Sequence, residues 1–136
     1  MFGLPKKKSN LAPDVKAKLF FTPLGRDLEL IASVGRTVEA EAGEVMIAEG
    51  SFGDEALIII DGTAAVSRGD EVVAHVCRGD LIGEAALLTG APRNATLVAT
   101  SPLTVVAISR REFRWLCLES RVLGPLARDL VATRSA

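Results

Sequence analysis

Gly83, Glu84 and Arg93 have the types and the spacing to hold a small anion that also carries hydroxyl groups. They lie in a stretch from Gly79 to Thr96 with only three charged residues, Asp80, Glu84 and Arg93, around one helical turn's worth of Glu-Ala-Ala-Leu-Leu. A glycine directly before a short helix lets a ligand approach the backbone closely. The first N–H groups of that helix lack intrahelical partners and point at whatever sits there, an arrangement that favours anions. Arg93, just past Pro92, can fold back and add a bidentate guanidinium to the same anion. Glu84 then faces the part of the ligand that offers hydroxyl donors. Anion at one end and hydroxyl at the other describe a sugar phosphate. Taken singly, Glu84 and Arg93 would form an ordinary structural ion pair.

The elements that must position these residues change character along the chain. Two amphipathic segments come first: Asp14 to Phe21, with Val15, Leu19 and Phe20 on one face, and Gly25 to Val34, with Leu28, Ile31 and Ala32 at helical spacing, separated by Pro23. From Arg36 onward, short apolar and β-branched runs are punctuated by Gly43, Gly50, Gly53, Gly62, Gly69 and Gly79, the pattern of many short strands in a sandwich or barrel. Strands are expected over 37–40, 45–48, 56–60, 64–67, 72–76, 81–82, 95–100 and 103–108. Asp61-Gly62 and Gly69-Asp70 are expected as hairpin turns. Helical periodicity then returns. Phe113, Leu116 and Cys117 form one stripe, and Leu123, Leu126, Ala127, Leu130 and Val131 the next. Ser109 stands at an N-cap with Glu112 three residues on, and Pro125 fits the first turn of the last helix.

Composition narrows the functions available. With 136 residues, 49% hydrophobic and 24% charged, the chain is expected to form one globular domain. Its mean hydropathy is +0.31, but the longest uncharged stretch, Asn94 to Ser109, is 16 residues and contains Ser101-Pro102, so no membrane insertion is expected. The N-terminus carries no apolar signal core, and a cytoplasmic protein is expected. The net charge of −1 divides unevenly: all five lysines lie within residues 1–18 beside one acid, 19–109 has five arginines against thirteen acids, and 110–136 has six arginines against three acids. A central body at −8 repels phosphodiester backbones, which argues against nucleic-acid binding. Cys77 and Cys117, 40 positions apart, and a single His75 do not make a zinc set or a disulfide scaffold. Both cysteines are expected as buried small hydrophobes and His75 as a structural strand residue. No phosphate-binding lysine motif is present, and neither an enzyme nor a cofactor is expected.

Gly83-Glu84 with Ala86-Leu87-Leu88, followed by Pro92-Arg93-Asn94-Ala95-Thr96, resembles the phosphate-binding cassette of cyclic nucleotide-binding domains, the sensors of catabolite-activator-type regulators, cyclic-nucleotide-dependent kinases and gated channels. The likeness covers nearly the whole chain. Ala42-Gly43-Glu44-Val45, Glu49-Gly50 and Ile58-Ile59-Ile60-Asp61-Gly62 are similar to the family's glycine-marked strand turns, and Ser109 to Phe113 to the start of its first C-terminal helix. The resemblance implies a mainly β fold, a jelly-roll-like β-roll (double-stranded β-helix) with two short N-terminal helices, a short cassette helix and two C-terminal helices. The implied division is a flexible basic tail over 1–13 and one domain over 14–136: N-terminal helices 14–35, β-roll 36–109 with the cassette at 82–96, and hinge or lid helices 110–136.

The same resemblance assigns roles. Glu84 accepts from the ribose 2′-hydroxyl, and Gly83 and Ala86, with Ala85 between them, offer backbone N–H groups. Arg93 pairs with the cyclic phosphate, helped by the backbone of Asn94 and Ala95. Val66, Ala74 and Val76 receive the base. Family members that prefer cGMP often carry Thr or Ser directly after the arginine; Asn94 stands there, so cAMP is the expected ligand ahead of cGMP. With no tyrosine in the chain, capping of the base falls to Leu123, Leu126, Leu130 or a stacked Arg128.

The reading is of a stand-alone sensor that relays cAMP binding through its C-terminal helices to an unidentified effector protein in trans; a homodimer is expected only by family analogy. Two alternatives stand beside it. The chain could be the regulatory fragment of a longer transcription factor, channel or acetyltransferase. It could also be a degenerate cassette protein that serves as an interaction module or binds cGMP or another nucleotide.

Overall fold

Alternation explains how the central strands can be apolar on consecutive residues. The computed structural model describes residues 10–134. Strand β3 (Glu55–Asp61) pairs with β8 (Leu103–Ser109) in the middle of an antiparallel sheet ordered β1-β8-β3-β6, where β1 is Arg36–Ala40 and β6 is Leu81–Ile82. On β3 and β8, Ala56, Ile58, Ile60, Val106 and Ile108 face one core, while Leu57, Ile59, Leu103, Val105 and Ala107 face a second. A strand buried on both faces reads as an unbroken apolar run. The second core lies between this sheet and another, ordered β2-β7-β4-β5, made of Val45–Ile47, Thr96–Ala99, Ala64–Arg68 and Glu71–Val76. All eight expected strands form, with no end displaced by more than one residue.

Helices close the first core. Val15 and Leu19 of α1 (Pro13–Phe20), Ile31 and Ala32 of α2 (Leu28–Val34), Phe113 and Leu116 of α4 (Arg110–Glu119), and Leu123 and Ala127 of α5 (Leu123–Arg134) all bury there. Ser109 caps α4 as expected: its Oγ accepts from Glu112 N and donates to Glu112 Oε1 at 2.8 Å. Gly124-Pro125 falls in the first turn of α5, where the missing proline N–H interrupts no helical bond. No helix among the described residues is long and apolar enough to cross a membrane.

Several expectations are corrected. The segment 25–34 is not one helix: Pro23–Asp27 is a 3-10 turn before α2, and a Cβ on Gly25 would stand 2.1 Å from the Phe20 carbonyl oxygen. Phe20 leaves the buried face of α1 and is 57% exposed, edge-on to Phe21. The expected tail over 1–13 is partly folded. Residues 1–9 lie outside the described part, but Asn10 donates its N–H to Ala32 O and Leu11 is buried. Asp61-Gly62 is not a hairpin turn, because β3 and β4 belong to different sheets; Gly62 turns a corner against the Pro102 carbonyl. Gly69-Asp70 does close a hairpin, between Arg68 and Glu71. Cys77, just past the end of β5, is exposed rather than buried, and His75 is a strand residue that alternation turns away from Ala74 and Val76. Cys117 is half-buried, and burial raises its thiol above the usual range, with Arg128 opposing.

Candidate functional site

A cavity of about 270 Å³ opens between the second sheet and α3 (Glu84–Thr89). Gly83, Glu84, Ala85, Ala86, Arg93, Asn94 and Ala95 line it on one side, and Val66, Ala74 and Val76 on the other. The segments expected to form a site therefore converge on one space, although β4 and the cassette are separated in the chain by β5 and β6.

Gly83 makes the entry to α3. It adopts φ +88°, a left-handed conformation that glycine reaches without strain, and turns the chain from β6 into the helix. Glu84 follows, 1% exposed, and its Oε2 accepts from the N–H of Ala85 at 2.8 Å. One of the first N–H groups of α3 is thus matched by the carboxylate of Glu84, which lines the cavity.

Arg93 is pinned at both ends. Its backbone N–H donates to Ser51 O at 2.7 Å, and its carbonyl accepts from Gly50 N at 2.8 Å. Its guanidinium is folded back toward the cassette: Nη1 donates to Gly83 O at 2.9 Å and Nη2 to Glu55 O at 2.6 Å. The residue is only 7% exposed. Burial pushes its pKa below the usual arginine value and nearby Arg110 adds to this, while Asp54, Glu55 and Glu84 oppose it. A buried cation held by neutral carbonyls is positioned to gain from an anion delivered through the cavity.

Sequence reasoning missed what shapes this cradle. A Cβ on Gly53 would stand 2.1 Å from Arg93 Nη2, and one on Gly83 2.6 Å from Nη1, so both glycines make room for the guanidinium. Glu55 contributes its carbonyl, while its carboxylate is held by Arg36 at 2.7 Å. Arg110, the first residue of α4, grips the same loop: its N–H donates to Asp54 O at 2.7 Å and its Nη2 to Gly53 O at 3.1 Å. Ile47, Arg68, Val73, Ile82, Thr96 and Leu97 complete the lining. Of these, Arg68 carried a readable signal, standing two residues beyond Val66 on the same strand.

The expected lid is not at the cavity. Arg128 is exposed on α5 near Gly124, and neither it nor Leu123, Leu126 or Leu130 lines the space. The apolar residues of α5 are committed to the helix-side core, and α5 packs against α3 and α4.

Comparison with known proteins agrees with this geometry. Residues 37–120 match the family model described as cyclic nucleotide-binding domain. A cAMP-dependent protein kinase regulatory subunit of Mycosarcoma maydis is 43% identical over 98 residues, covering 65% of this chain and 18% of the relative. One of Hypocrea atroviridis is 32% identical over 133 residues, covering 98% of this chain and 27% of the relative. The chain thus spans roughly a fifth to a quarter of the length of these relatives. A solved structure described as "Sp-2Cl-cAMPS bound to PKAR CBD2" superposes with a TM-score of 0.73 at 29% identity, covering 91% of each chain. The β-roll with its flanking helices is the architecture of that group, and the chain belongs to the cyclic nucleotide-binding domain family.

Proposed function

We propose that the chain binds cAMP in the cavity between α3 and the β4–β5 hairpin and converts binding into a change of helix position. The observation that carries this reading is the buried Arg93 guanidinium, opening onto the same cavity as buried Glu84 and aliphatic Val66, Ala74 and Val76. Arg93 and the cassette backbone of Gly83 to Ala86 and Asn94 to Ala95 take the cyclic phosphate. Glu84 accepts from the ribose 2′-hydroxyl, and the aliphatic strand residues receive the adenine. The relatives named as cAMP-dependent kinase subunits and the superposable structure named for a bound cAMP analogue support this ligand class. Asn94, in place of a hydroxyl residue, favours cAMP over cGMP.

The relay in this reading runs through α3. Because α5 packs on α3, and Arg110 at the head of α4 holds the loop that cradles Arg93, a shift of the cassette toward bound phosphate alters the seats of both C-terminal helices. The altered surface would be read by an effector protein, and binding rather than catalysis is the proposed activity. Calorimetric titration of the full chain with cAMP and cGMP tests the reading. Saturable binding of cAMP at micromolar concentration, tighter than that of cGMP, is expected; no heat from either ligand at millimolar concentration overturns it.

A further inference from the structure

Strand register brings a second arginine to the anion end of the cavity. In the β4–β7 pairing, Val66 stands opposite Leu97 and Ser67 opposite Thr96, so Arg68 comes beside Ala95 at the exit of the cassette. Val66 and Arg68, two apart on β4, share the face that lines the cavity, together with Leu97 on β7 and Ala95 just before it. A register shift between Val66 and Ser67 in the β4–β5 pairing leaves Val73 as an extra residue. That bulge shortens the hairpin to Gly69-Asp70 and sets Arg68 opposite Glu71, at the mouth. The tip is fixed to the neighbouring loop: Gly69 N donates to Glu49 Oε1 at 2.9 Å, and Glu49 N donates to Thr96 Oγ1 at 3.0 Å. Neighbouring strands lie about 4.8 Å apart, within the span of an arginine side chain.

We propose that Arg68 is a second cation of the phosphate subsite, reaching from the end of β4 across Ala95 to the anion that Arg93 is placed to hold. The proposal rests on the cyclic-nucleotide reading above and adds a residue to it. The two arginines contribute differently. Arg93 is buried and already uses a donor of each Nη on a carbonyl, so it fixes geometry. Arg68 is exposed, so its attraction is screened by salt and acts on the ligand as it enters. In a central body that carries an excess of acids, a second local cation at the mouth offsets the repulsion an incoming phosphate meets.

The test is titration of the full chain with cAMP at low and high ionic strength, comparing wild type with R68A, R68Q and R68K. R68A and R68Q are expected to bind about 3- to 5-fold more weakly at about 50 mM salt, with R68K regaining most of the loss. Toward about 500 mM salt the gap should close to nearly nothing. A gap below about 2-fold at low salt overturns the proposal. So does a gap that persists undiminished at high salt, which would place Arg68 on the face of the base instead. The underlying reading fails separately, when wild type does not bind cAMP at all.

Discussion

Gly53 lies so close beneath the Arg93 guanidinium that a Cβ at residue 53 would stand 2.1 Å from Nη2, 2.2 Å from Nε and 2.4 Å from Cζ. The nearest atoms all belong to the end of one flexible side chain, so an added methyl displaces the arginine rather than the fold. G53A is therefore expected to lower stability by no more than about 1 kcal/mol while weakening cAMP binding about 10-fold or more. Urea unfolding and calorimetric titration of the same preparation check the two halves. A large stability loss would mean that the loop itself cannot adjust.

Ser120 links the N-terminal helices to the C-terminal ones. Its Oγ donates to Asp27 Oδ2 and accepts from Leu123 N at 2.6 Å, and both polar residues are buried. S120A removes the cap of α5 and strands a buried carboxylate, and should cost about 2–3 kcal/mol in urea unfolding. The double variant S120A/D27A should lose less than the two single variants added together, because the carboxylate no longer needs a partner.

Asp61 carries an acid-dependent contribution. Lys18 Nζ lies 2.7 Å from its Oδ2, and Arg78 Nη2 lies 3.7 Å from its Oδ1. The bond and charge of Lys18 hold the carboxyl below its ordinary value. A carboxylate depressed in the folded state stabilises at pH above its unfolded pKa of about 3.9 and loses that contribution as pH falls through the lower folded value. The Tm difference between wild type and D61N should be largest near neutrality, vanish in acid below the carboxylate range, and shrink with added salt because the pair is half-exposed. A difference that grows toward acid pH would contradict this.

How much could be read in advance followed the range of the interactions involved. Strands were legible from glycine punctuation and β-branched runs, and Glu84, Arg93, Val66, Ala74 and Val76 do come to one cavity. Asp61-Gly62 misled because a turn dipeptide reports a local backbone angle, not whether the strands it joins share a sheet. Gly53 was silent because its role arises from a side chain 40 positions later in the chain. Arg128 does not line the cavity in this structure, and an apolar stripe on α5 does not by itself say whether its partner is a ligand or the helix-side core that it meets here. Cys77 reads as buried because it follows the apolar run of β5, yet only Val76 of that strand is buried. Arg68 could have been found by stepping two residues along β4 from Val66.

The central claim is that Arg93, held between Gly53 and Gly83, receives the ligand's phosphate. Calorimetric titration of cAMP into wild type and R93A, with circular dichroism to establish that the variant is folded, tests it most directly. A loss of roughly 3–5 kcal/mol in binding free energy is expected, since the phosphate would lose its buried cationic partner in a desolvated site. A folded R93A that binds cAMP within about 1 kcal/mol of wild type would contradict the account and make Arg93 a structural brace between the carbonyls of Gly83 and Glu55.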